Sequence, residues 1–327
     1  MYIIGIDIGG TKCAVILGKI EQEPKPEIIG KKVIQTNECP DPYLMIARLQ
    51  DEIETLLDFH QIDLKTVSSI GISCGGPLDS IRGMILSPPN LPGWDEIPMV
   101  KLFIEKFGIP TAIQNDANAC ALAEWKFGAG KGFRNIIFLT FGTGLGAGLI
   151  LDGKLYSGTN DMAGEVGHLR LEKIGPVGYG KAGSFEGFCS GGGIAQLAQV
   201  KVREKMQMGY AVSFCKNIQD IDLLTAQIVA EAARKGDQLA KDIYELCGTY
   251  FGKGLSVLID ILNPELIIIG SIYIRCEDLL FPGIERILNE ESLPLSKKVC
   301  RIVPAGLGDA IGDYAALGVA VYEDKNK

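Results

Sequence analysis

Asp7-Ile8-Gly9-Gly10-Thr11-Lys12 places a carboxylate, two glycines, a hydroxyl and a cation in one short segment. A turn of this composition offers backbone N–H groups to phosphate oxygens, while the carboxylate suits a magnesium ion or its water shell. Taken alone, the same residues also read as a plain glycine hairpin. A second stretch, Gly142-Thr143-Gly144-Leu145-Gly146-Ala147-Gly148, shifts that balance, since two phosphate-cradling turns arise by chance less readily than one. No Gly-Lys-Ser/Thr follows, so it is not a Walker A loop. Asn115-Asp116 stands where a strand meets a helix. Asp116 reads either as an N-cap or first-turn residue balancing the helix dipole, or as a general base for a sugar hydroxyl attacking a γ-phosphate, with Asn115 helping to fix the sugar. Position alone fits both. Gly164-Glu165-Val166-Gly167-His168 holds one of two histidines, which suits a structural hydrogen-bond donor or a metal ligand. Glu186, in a glycine-rich stretch without apolar period, is equally open. Glu165, His168 and Glu186 together carry the donors and acceptors to ring a sugar.

The elements that must position these residues follow from periodicity and turn chemistry. Residues 3–8 and 13–17 read as strands joined by the first glycine turn, and Pro24, Pro26 and Gly30 bracket a turn before a strand at 32–36. A helical apolar period covers 43–59, and a strand at 68–74 ends in Gly75-Gly76-Pro77. Residues 80–98 are rich in Pro, Gly, Asn and Trp without a period, the mark of an irregular segment that carries function. A strand at 111–114 runs into a helix at 116–127, and strands at 135–140 and 149–151 flank the second glycine stretch. Two strand-turn-strand units about 130 residues apart suggest related halves closing around one nucleotide. Beyond Ser190 the chain is mainly helical, at 192–205, 223–235 and 238–262, with Asn263-Pro264 as a stop. Strands at 266–269 and 299–304 precede a closing helix at 311–322.

With 327 residues and 47% hydrophobic content, the chain exceeds one ordinary core and predicts two lobes with a ligand cleft between them. The expected lobes are α/β units, 1–115 completed by the helix at 311–327, and 116–310. A net charge of −8 opposes nucleic acid or an anionic membrane as partner. The nine cysteines are scattered with no C-x-x-C pair, which indicates neither a disulfide framework nor a zinc knuckle. Without a leader-like start or an apolar run near twenty residues, a cytoplasmic location is expected.

In order and approximate spacing, the segments 7–12, 115–119, 142–148 and 163–168 resemble the ROK family of sugar kinases and related repressors, a likeness running from Tyr2 to about Tyr322. The resemblance implies a two-lobed actin-like, ribonuclease H-like ATPase fold and a kinase using ATP and Mg2+ on a hexose, glucose first, as a homodimer. It makes Asp116 the catalytic base and Asn115, Glu165, His168 and Glu186 sugar contacts, with Gly75, Gly76 and Asn90 lining the far side. Asp7, as a magnesium-facing residue, and Gly9, Gly10, Thr11, Lys12, Thr143 and Gly144 would approach the phosphates. Gly193, in the turn after Ser190, and Gly270-Ser271 would border the nucleoside. The two glycine turns, on separate hairpins, also predict that sugar binding closes the lobes so that each supplies one wall of the phosphate site.

One departure stands out. Where the family carries three zinc-binding cysteines between the histidine and the glutamate, this chain has Val177, Tyr179 and Ser184. No zinc site is therefore expected, with packing by Tyr179 and Phe185 holding the loop instead. Gly270-Ser271 also stands where relatives have two glycines. The competing reading is a sugar-responsive regulator or sensor lacking its own helix-turn-helix segment.

Overall fold

The computed structural model describes residues 1–21 and 25–325. Its strands are β1 (Tyr2–Ile8), β2 (Lys12–Lys19), β3 (Glu27–Gln35), β4 (Val67–Cys74), β5 (Leu78–Asp79), β6 (Met84–Ile85), β7 (Thr111–Asn115), β8 (Ile136–Phe141), β9 (Leu145–Leu151), β10 (Lys154–Leu155), β11 (Val177–Gly178), β12 (Lys181–Ala182), β13 (Leu266–Ile269) and β14 (Arg301–Pro304). Its helices are α1 (Pro42–Phe59), α2 (Met99–Phe107), α3 (Asp116–Phe127), α4 (Phe185–Phe188), α5 (Gly191–Gln207), α6 (Ala226–Arg234), α7 (Gln238–Leu262), α8 (Ile272–Glu291), α9 (Pro294–Val299) and α10 (Ile311–Lys325). Among the described residues no helix is long and apolar enough to cross a membrane.

Contacts divide the chain into two units. The first comprises Met1–Phe138, Gly148–Ala163 and the residues from Gly306 onward; the second comprises Leu139–Ala147 and Gly164–Ala305. Strands β8 and β9 thus each begin in one unit and finish in the other. Helix α3 lies in the first unit. Its Ala123 and Phe127 share a buried cluster with Leu317, Ala320 and Val321 of α10, so separating the helices would expose that face.

In the first unit a five-stranded sheet runs β3-β2-β1-β4-β7, antiparallel among its first three strands and parallel from β1 through β7. Strand β1 is apolar almost throughout because both faces are covered. Ile4, Ile6 and Ile8 point into the core shared with Leu49, Ile53 and Phe103 of α1 and α2, whereas Ile3 points into the α3 and α10 cluster. The α10 backbone is also tied to the sheet, since Ser69 Oγ in β4 donates to Ala320 O at 3.0 Å. Glu124, fully buried on α3, accepts the N–H groups of Ala129 at 2.7 Å, Gly306 at 3.1 Å and Leu307 at 2.8 Å. This clamp fixes the entry to α10.

The second sheet has the order β10-β9-β8-β13-β14. In the second unit, Phe251 of α7 packs on Phe141, Phe185 and Tyr273 with ring centroids 4.9, 5.5 and 6.4 Å away.

Several expected elements differ. Strand β3 starts at Glu27, so Gly30 lies inside it opposite Leu17, and Pro24 falls outside the described residues. The second glycine stretch is mostly strand, since β9 begins at Leu145. Residues 218–223 form a 3-10 turn, and α6 starts after Thr225, whose hydroxyl accepts Ile228 N–H as cap. α2, α8 and α9 had no predicted counterpart, and α9 delays the next strand to Arg301.

Candidate active site

The parallel register sets Ile8 of β1 beside Cys74 of β4, and Cys74 beside Asn115 of β7. Residues just past those ends, Gly9-Gly10, Gly75-Gly76 and Asp116, therefore share the carboxyl edge of the sheet, where α/β proteins bind ligands. Asn90 reaches the same edge through its loop. A Cβ on Gly10 would lie 2.5 Å from the Asn90 carbonyl oxygen, and only glycine admits that approach. The Gly9-Lys12 turn is held by Gly9 N–H donating to Lys12 O at 3.1 Å and by the Thr36 hydroxyl donating to Gly9 O at 2.7 Å. Thr11 and Lys12 stay exposed. The first unit thus gathers Asp7, Gly9, Gly10, Thr11, Lys12, Gly75, Gly76, Asn90, Asn115 and Asp116.

Two carboxyls dominate the charge here. Asp7, at the end of β1, is raised from 3.8 to about 6, first by burial and then by the charges of Asp313 and Asp116, with Lys12 and Lys31 opposing. Asp313 was not found from sequence, because only the packing of α10 brings it near β1 and into an ion pair with Lys31 at 2.5 Å. The N-cap of α3 is Asn115, whose Oδ1 accepts Asn118 N–H at 2.7 Å. Asn115 therefore fills the N-cap role, and Asp116 is the acidic residue of the first turn of α3. Asp116 keeps an exposed surface, yet the protein crowded around it desolvates its carboxyl and raises it above the ordinary value. The Ala117 N–H, donating to Oδ1 at 2.8 Å, works against that rise.

A stability test follows for Asp7. Its folded value lies above its unfolded one, so the native state takes up a proton as pH falls through about 6, and this group's contribution favours the fold increasingly towards pH 4. Asp7→Asn should melt higher than wild type at pH 7 in metal-free buffer, with the difference vanishing near pH 4. Equal melting temperatures at pH 7 would contradict the assignment.

In the second unit, Gly142 N–H donates to Gly144 O at 3.1 Å, and Gly191 N–H donates to Gly142 O at 2.8 Å, so the turn after β8 meets the start of α5. Ser190 caps that helix by accepting Gly193 N–H at 2.9 Å. Gly270 N–H donates to Leu139 O at 3.0 Å, placing the β13 end alongside. Ser271 follows with a positive φ of 55°. Glu186 Oε2 accepts Leu145 N–H at 3.0 Å, and a Cβ on Gly144 would fall 2.7 Å from that oxygen. Glu165 begins the 3-10 turn Val166–His168, which packs on α4 beside Glu186. Thr143, Gly144, Glu165, His168, Glu186, Gly193, Gly270 and Ser271 are thus grouped within this unit.

The segment between His168 and Glu186 is a short hairpin, β11 with β12. Ser184, fully buried, caps α4 by accepting Gly187 N–H at 3.0 Å. Phe185 is buried against Phe251 as expected. Tyr179 is not the expected packing anchor: it is 75% exposed, with its ring edge-on to His168 at 5.7 Å. A hydroxyl committed to a helix cap, an exposed tyrosine and a valine offer no thiolate donor set for zinc. Elemental analysis of purified protein should find no stoichiometric zinc; one tightly held zinc per chain would overturn this account.

The sequence profile described as the ROK family matches residues 3–322. The chain belongs to the ROK family. This ROK protein is 30% identical over 313 residues to the glucokinase of Halalkalibacterium halodurans, covering 95% of this chain and 92% of that one. It is also 30% identical over 255 residues to the Escherichia coli transcriptional repressor Mlc, covering 78% of this chain and 61% of the repressor. Among solved structures, a ROK family glucokinase from Streptomyces griseus in complex with glucose and AMPPNP superposes with a TM-score of 0.71 at 28% identity, covering 98% of this chain and 99% of that one. The family's actin-like ATPase fold is the fold of this chain.

Proposed function

We propose that this ATP-dependent sugar kinase transfers the γ-phosphoryl group of ATP to the 6-hydroxyl of a hexose, glucose being the first candidate. The observation that carries the reading is Asp116: a carboxylate in the first turn of α3, at a sheet's carboxyl edge, with its pKa raised above the ordinary value by the protein around it. Such a group takes the proton from a hydroxyl as it attacks phosphorus. Asn115, Glu165, His168 and Glu186 orient the sugar in this reading, with Gly75, Gly76 and Asn90 on its far side.

The turns at Gly9-Lys12 and Gly142-Gly144 supply backbone N–H groups to the phosphates, and the turn at Gly193 with Gly270-Ser271 borders the nucleoside. Asp7, Asp116 and Asp313 concentrate negative charge that a divalent cation neutralises, so Asp7 suits a nucleotide-bound Mg2+. When bound, that ion offsets charge on the phosphates.

A coupled ADP-release assay with ATP and Mg2+ across a hexose panel tests the proposal, with turnover on glucose expected. The repressor relatives support a second reading, a sugar-responsive regulator. Tight hexose binding without ADP release would favour it.

A further inference from the structure

The hairpin Val177–Ala182 touches two of the three residues assigned to the sugar on this unit, His168 and Glu186. Tyr179 lies edge-on to the His168 ring, and Lys181 Nζ donates to the His168 carbonyl oxygen. Gly178 presses on α4 so closely that a Cβ there would lie 2.6 Å from Gly187 N and 2.9 Å from Glu186 Cβ. The hairpin's position therefore sets where His168 and Glu186 stand. Its two strands are only two residues each, too short to hold a position unaided.

Arg170, whose Nη1 donates to Ala182 O at 2.7 Å, holds one strand of the hairpin, and Gln196, on the second turn of α5, holds the other. Its side-chain Oε1 accepts Val177 N–H at 2.9 Å, and its Nε2 donates to Val177 O at 2.9 Å. The carboxamide thus pairs with both backbone groups of one residue, as a neighbouring strand would. Val177 also stands at one of the three positions where the family carries cysteine, so the side-chain amide grips the backbone where a thiolate would otherwise stand.

We propose that Gln196 is a positioning residue for the sugar site, holding Glu186 and His168 in place through the Val177 backbone. The proposal rests on the reading of those two residues as sugar contacts. Alanine removes both hydrogen bonds, whereas glutamate keeps the acceptor for Val177 N–H and sets a carboxylate oxygen against Val177 O. Asparagine is one methylene too short to make the pair.

The test measures KM for glucose and for ATP separately in Q196A, Q196E and Q196N, together with amide hydrogen exchange over residues 177–182. Exchange there should quicken, and KM for glucose should rise roughly tenfold in Q196A, with KM for ATP within about twofold of wild type. Q196E, retaining one of the two bonds, should fall between Q196A and wild type. H168A runs alongside as a control. Quickened exchange with an unmoved glucose KM in Q196A, while H168A raises it, overturns the positioning role. Equal rises in both KM values also overturn it, since they report general loosening. An unmoved glucose KM in both variants overturns the sugar-site reading and the proposal with it.

Discussion

Asp116→Asn should lower kcat by about 10²- to 10⁴-fold while the sugar's dissociation constant stays within about threefold of wild type. Asparagine preserves the shape of the side chain and an oxygen for the Ala117 N–H, so α3 and its Asn115 cap remain as they are. What disappears is the ability to accept a proton, and that loss falls on the chemical step. The wild-type pH profile carries a second signature. Crowding raises the Asp116 carboxyl above its ordinary value, and the base works only when ionised, so kcat/KM should fall as pH drops through that raised value. The mutant's residual activity should lack this acid limb. A mutant with near-wild-type kcat, or one that keeps the limb, removes Asp116 from the role of base.

The largest stability loss should come from Glu124→Ala. Removing the carboxylate leaves the N–H groups of Ala129, Gly306 and Leu307 without their acceptor, the Leu307 donor buried, that of Ala129 half-buried and Gly306 at the surface. A buried orphaned donor costs about 1 to 3 kcal/mol and one that water reaches costs much less, so a loss of about 2 to 4 kcal/mol is expected. For a chain of 327 residues that corresponds to a fall in Tm of roughly 3 to 6 °C. Glu124→Gln should lose less, because one amide oxygen can still serve Ala129 and Gly306 while the NH2 group faces the Leu307 donor. Thermal melts followed by circular dichroism decide the matter. An alanine variant melting within about 2 °C of wild type would show that water replaces the clamp.

Helix α3 was legible in the sequence to the residue, because the alanine-rich run after Asn115 has no breaker, although the cap proved to be Asn115 rather than Asp116. Strand β1 and its glycine turn were legible for a similar local reason. Gly30 misled: it lies in β3, paired with Leu17, where cross-strand pairing overrides its preference for turns. α8 was obscured by Pro282 in its interior and by non-helical dihedrals at Cys276, where two helical pieces meet. At the site, the residue types at Asp7, Asp116 and Glu186 pointed to chemistry through local motifs. Their surroundings did not, since Asp313 acts on Asp7 from the far end of the sequence and Gln196 meets Val177 only after α5 has folded. Contacts of that kind leave no periodic trace.

The discontinuity of the first unit bears on how the chain is made. On the ribosome, β1 through β7 emerge early, but α10, which covers Ile3 and accepts the Ser69 hydroxyl, is synthesised only after all of Gly164–Ala305. At 5 to 20 residues per second, that face of the nascent sheet stays bare for roughly ten to thirty seconds. Throughout that interval the newborn chain presents an apolar surface to other nascent chains and to chaperones, and native closure of the first unit cannot precede the synthesis of α10.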